Sequence, residues 1–133
     1  MLNSEIYESA LRILGESLNV GENEDYKESS AFLIAAFCNE AEAIDDSIRR
    51  ICGLSDRPYF NPVWVSLDED FPLSERLAPA ASFYLAAMLI LDDDAERSDA
   101  LYEKYCDSIA TIEGSFPMMS GSIVDVYGYD YGY

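Results

Sequence analysis

The chain has 133 residues, enough for one domain with a substantial hydrophobic core and too few for two ordinary ones. Its 26 acidic against 8 basic residues leave a net charge of -18, spread through both halves, which disfavours binding to nucleic-acid phosphates and to anionic membrane surfaces. It contains no histidine, which excludes Ser-His-Asp and Cys-His catalysis and any histidine metal ligand.

The first predicted helix covers residues 4–14. Ile6, Ala10, Leu11, Ile13 and Leu14 share one face at helical spacing. Asn3 or Ser4 can cap its start, and Gly15 suits a left-handed stop. A loop follows, and then a long second helix over residues 24–52. Asn23 can cap it, Arg49 and Arg50 favour its end, and Gly53 ends it. Phe37, Ala41, Ile44, Ile48 and Ile51 form a narrow apolar seam along it. A helix of that length would reach roughly 40 Å, beyond the usual globular range, which leaves room for a break near Asn39.

Residues 54–73 read differently. Pro58, Pro62 and Pro72 punctuate them, and the stretch 63–67 has the β propensity for one short strand. A lone strand must pair with something, such as the C-terminal tail or another subunit.

The third helix is expected over residues 74–91, burying Leu77, Ala81, Tyr84, Leu85, Met88 and Leu89, with Pro79 bending it or delaying its start. The fourth follows Asp92-Asp93-Asp94, buries Leu101, Tyr102, Tyr105, Ile109 and Ile112, and stops at Gly114. The short connection predicts an antiparallel hairpin. The fold expected is thus mainly α, a small bundle of about four helices spanning 1–114. Residues 115–133 form a Gly/Tyr-rich tail.

Candidate chemistry is sparse. Asp92, Asp94, Glu96 and Glu103 match acidic positions of a calcium loop, but Arg97 stands where the sharp turn needs glycine, so a helix cap is the better reading. Asp68-Glu69-Asp70 reads as a solvated turn. The three cysteines, Cys38, Cys52 and Cys106, lack paired spacing and read as reduced, mostly buried thiols of a cytoplasmic protein. No secretory leader is expected, and the longest apolar run, residues 80–91, is too short for a bilayer. No cofactor is implied, and nothing positive points to an enzyme. The interaction candidates are Val63, Trp64 and Val65, and in the tail Ile123, Val126, Tyr127, Tyr129, Tyr131 and Tyr133. In an extended chain the four alternating tyrosines face one way, and tyrosine is favoured at interfaces.

The order of elements carries a family resemblance. A short helix with Ala10-Leu-Arg-Ile-Leu-Gly15 precedes a long helix, then Phe71-Pro72-Leu73 and a helical hairpin whose second arm carries Tyr102 and Tyr105. The chain then runs on through Ile123-Val-Asp-Val-Tyr127. It resembles the head–tail connector (adaptor) proteins of tailed bacteriophages and prophages. The resemblance implies a structural virion protein that forms a ring under the portal and continues the DNA channel. Its partners would be further copies of itself, the portal and tail-side proteins. The family's portal-directed segment would fall on residues 123–133, and acids lining a lumen would repel DNA. The implied location is the cytoplasm during assembly and the virion afterwards. The rival expectation is a non-catalytic acidic interaction module, such as a regulatory protein or one that mimics the charge of DNA. The two differ in partner: a portal for the first, a basic DNA-binding protein bound in a salt-sensitive way for the second.

Overall fold

The computed structural model describes residues 1–115. Five α-helices and one 3₁₀ turn lie among them, with no strand: α1 (Asn3–Leu14), α2 (Glu24–Glu40), α3 (Glu42–Cys52), the 3₁₀ turn (Glu75–Leu77), α4 (Ala78–Leu89) and α5 (Ala95–Ser115). The chain is mainly helical, as its periodicities predict. The tail beyond Ser115, with its six candidate residues, lies outside the described residues.

Helix α4 is apolar on nearly every face, which is the pattern of a helix enclosed by others. It packs against α1, α2 and α5. Its alanines Ala80, Ala81, Ala86 and Ala87 are buried and allow close approach. Ser98 on α5 donates its hydroxyl to the Ala87 carbonyl at 2.8 Å, joining the two arms of the hairpin. At the other end of the packing sits an aromatic cluster. Phe37 lies 5.7 Å from Tyr84, 6.1 Å from Tyr105 and 6.4 Å from Phe71, ring centre to ring centre. Such pairs contribute on the order of 1 kcal/mol each beyond area burial. The Tyr105 hydroxyl donates to Glu40.

Some start and stop residues act as expected and others do not; Asn23 precedes α2 without a side-chain capping hydrogen bond. Gly15 and Gly53 take φ of 75° and 68°, the left-handed caps of α1 and α3. Pro79 delays α4 rather than bending it: the chain first makes the 3₁₀ turn, capped by Ser74, and Pro79 then lies in the first turn of α4, where no N–H is needed. The start of α1 differs from expectation. Neither Asn3 nor Ser4 caps it. Both are helical, and their N–H groups donate to the carbonyls of Glu69 and Leu67, each at 2.9 Å. Helix α5 continues through Gly114 to Ser115.

The long second helix is two helices. The chain kinks at Ala41 (φ -94°, ψ 7°), although Ala41 N–H still donates to Phe37 and Asp45 N–H to Ala41. Asn39 sits beside the kink and donates its side-chain amide both to Ala35, one turn back, and to the Pro62 carbonyl at 2.7 Å. The kink lets α3 leave the line of the seam. Phe37, Ala41 and Ile48 are buried, whereas Ile51 and Cys52 are exposed.

The stretch 63–67 is not a strand. Among the described residues, the one ladder-like pairing near it is an isolated bridge between Leu2 and Asp70. Val65 instead donates its N–H to the Ala31 carbonyl at 3.1 Å, and Ser66 and Leu67 offer their carbonyls to the start of α1. The β-branched and aromatic residues serve an extended segment laid across helices.

Candidate interaction surface

Residues 54–74 link α3 to the 3₁₀ turn without regular structure. A connection this long inside a small domain is uncommon and usually functional. Its prolines deny it a helix, yet it is tied to the helices at several points. The anchor is Asp45 on α3, whose side chain is fully buried. One carboxylate oxygen accepts the Ser74 N–H at 2.7 Å. The other accepts Arg49 Nε at 2.7 Å and an Arg57 guanidinium nitrogen at 2.9 Å. A buried charge is tolerable only when paired and hydrogen-bonded in this way. Arg49 then reaches the Ser55 carbonyl at 2.8 Å and the Pro72 carbonyl at 2.9 Å, tying the two ends of the segment together. Arg57 also holds Asp46 and Glu42. Burial alone would lower the Arg57 pKa, but the hydrogen bonds to Asp45 and Asp46 outweigh it and raise the value.

Further contacts fix the middle: Asn39 to Pro62, Val65 to Ala31, and Asn3 Nδ2 to the Ser66 carbonyl at 2.9 Å. The Asn61 side chain accepts the Val63 N–H at 2.8 Å and shapes the turn. Beside exposed acids, this scaffold holds apolar side chains outward. Tyr59 is 87 % exposed, Val63 64 % and Trp64 46 %. Tyr59, Phe60, Trp64, Glu69 and Asp70 line a groove of about 490 Å³. Rigid aromatic side chains displayed at low entropic cost suit protein recognition.

Among the three interaction candidates in this segment, Val63 and Trp64 are on the surface. Val65 is not: it is buried against Ala31 and belongs to the core. Tyr59 and Phe60 were not singled out by sequence pattern, although an aromatic pair between Pro58 and Pro62 is a legible signal for a displayed turn.

The remaining candidates have local explanations. Asp94 caps α5, its side chain accepting the Arg97 N–H at 3.0 Å and its carbonyl the Ser98 N–H at 2.9 Å. Asp93 accepts the Tyr26 hydroxyl at 3.0 Å. Among the described residues no group of three or more His, Cys, Asp or Glu side chains is arranged to hold a metal ion. Cys38 is buried, and burial, with Asp45 nearby, pushes its thiol up to about 12 despite the opposing Arg57 charge. Cys52 and Cys106 are exposed, contrary to the expectation of mostly buried thiols. Burial and the hydrogen bond to Glu40 raise the Tyr105 pKa well above that of a free phenol. No helix among the described residues is long and apolar enough to cross a membrane. Comparison of the chain with family models, curated proteins and solved structures gives no match.

Proposed function

We propose that the chain is a non-catalytic structural protein, a head–tail connector that assembles as a ring against a phage portal. The observation that carries this reading is the 54–74 segment: an irregular crossover, clamped at both ends by the Asp45–Arg49–Arg57 cluster, displaying Tyr59, Val63 and Trp64 to solvent. Clamping of this kind serves a surface that must meet a partner without first being ordered. The order of the helices and the hairpin supports the reading, because it follows the pattern on which the resemblance rests.

The charge shapes how assembly would occur. Copies carrying -18 each repel one another, so a ring is favoured on a partner surface rather than in isolation. Acids facing a channel would let DNA pass without sticking. The tail's Ile123, Val126, Tyr127, Tyr129, Tyr131 and Tyr133 are the proposed reach toward the portal, by strand addition or aromatic contact.

The test is capture of the portal protein from the same genome, using the full chain and a chain ending at Glu113. The expected result is capture by the full chain, loss of capture by the shorter one, and unchanged helicity. No capture at any salt concentration would overturn the connector reading and favour an acidic interaction module.

A further inference from the structure

The groove beside the clamped crossover has an unusual chemical balance. It is lined by the aromatic residues Tyr59, Phe60 and Trp64, by the acidic residues Glu69 and Asp70, and by Asn3 and Asn61. No lysine or arginine lines it. Arg57 and Arg49 are turned inward onto Asp45. Glu69 and Asp70 are exposed and have no ion-pair partner among the described residues. Asn3 is 1 % exposed. Its Nδ2 donates to Ser66, but its Oδ1 has no hydrogen-bond partner among the described residues. A buried acceptor without a donor is rare in a native interior and calls for an explanation. The donors among the lining side chains, on Asn61, Tyr59 and Trp64, are neutral, and the only charges lining the groove are negative.

We infer that the groove receives an arginine side chain from a basic segment of a partner protein. The guanidinium is planar, so it stacks on aromatic faces while its N–H groups reach carboxylate and carbonyl oxygens together. That set of demands matches the aromatic and acidic residues lining one groove, beside a buried amide oxygen that has no donor. Lysine meets the charge but not the stacking. A second copy is a poor occupant, because two chains of charge -18 repel. A basic segment of a different protein is drawn in by the same field. The inference goes beyond the connector reading and stands without it, since it concerns the chemistry of the guest and not the guest's identity.

The single tryptophan of the chain is Trp64, so its fluorescence reports on this groove alone. The probe is an acetylated, amidated pentapeptide with one central arginine between glycines, beside the same peptide with citrulline, which keeps the shape and removes the charge. The arginine peptide should shift Trp64 emission saturably, and citrulline should bind at least roughly tenfold more weakly. The Glu69→Gln/Asp70→Asn variant should lose roughly tenfold in affinity while its circular dichroism stays unchanged. It removes only two of 26 acids, so diffuse attraction to the whole chain would barely change. Tyr59→Ala, at a side chain too exposed to support the fold, should weaken binding as well.

Equal binding of the two peptides, full binding to the carboxamide variant, or no saturable response up to on the order of 10 mM peptide would each overturn the inference. Trp64 emission that shifts with protein concentration alone, with the peptide inert, would give the groove to a second copy and overturn it too.

Discussion

Phe37 and Trp64 mark two regions of this molecule that are both fixed in place, by different forces. Phe37 has no exposed surface and touches Phe71, Tyr84 and Tyr105; its place is set by burial and ring packing. Trp64 is 46 % exposed, and the segment that carries it is held by a buried carboxylate, two arginines and backbone hydrogen bonds to α1 and α2. The helical core is ordered by what it hides. The crossover buries Val65, Phe71 and Leu73 in that core, and its polar clamps hold Tyr59, Val63 and Trp64 on the surface.

The largest expected effect strikes the core. Phe37→Ala should cost about 4 kcal/mol, through lost transfer energy and the cavity left among three rings. Urea unfolding measures it, and a loss below about 1 kcal/mol would mean the aromatic cluster is not the packing centre.

Next comes the clamp. Asp45→Ala strands the two arginines' charge and orphans the Ser74 N–H, at a cost of about 3 kcal/mol. It should also do what the Phe37 change does not: loosen the crossover first, so that Trp64 emission moves to the red at denaturant concentrations where helicity is intact. Loss of both signals together would show that the two regions unfold as one.

A smaller effect lies in alkaline solution. The Cys38 thiol is raised from 9.0 to about 12 in the folded chain, chiefly by burial. The fold therefore favours the protonated thiol. That contribution is present in full below about pH 9 and is lost as pH rises through about 12, because the unfolded chain ionises first. The full chain should lose stability as pH rises past 9, and Cys38→Ala should flatten the decline between pH 9 and 10, before the tyrosines titrate. The same burial predicts thiol reactivity: Ellman's reagent should modify Cys52 and Cys106 quickly and Cys38 only after unfolding.

The smallest change in stability is expected on the displayed face. Tyr59→Ser should shift unfolding by no more than about 0.5 kcal/mol, since little of the side chain is buried. A larger loss would move Tyr59 from the surface account to the core account.

The difference between the regions also explains what could be read from sequence. The existence of α1, α4 and α5 and most of the buried face of α1 follow from residues three and four apart, whereas on α5 only Leu101 and Tyr105 of the expected face are buried and Tyr102 is exposed. The kink at Ala41 does not follow from spacing, since alanine is a strong helix former and the seam runs through it. What accompanies it is long-range: Asn39 bonded to Pro62, and Asp45 turned toward Ser74. Residues 63–67 misled for a related reason. Their β propensity reflects a fit to an extended, half-buried surface, and here that surface is the side of two helices. Val65 looked like its neighbours Val63 and Trp64 and proved to be core, because the Ala31 carbonyl takes its N–H. Nothing local announces a hydrogen bond between residues that far apart. The groove was invisible for the same reason, as it joins Asn3 to residues some sixty positions away.

The most direct test of a clamped crossover built for a partner is portal capture by the native chain and by the Tyr59→Ser/Trp64→Ser variant, with stability and helicity measured alongside. The account predicts that the variant stays folded and captures the portal at least roughly tenfold more weakly, as expected when central aromatic anchors are removed. Undiminished capture by a folded variant would contradict it, and would assign recognition to another part of the chain.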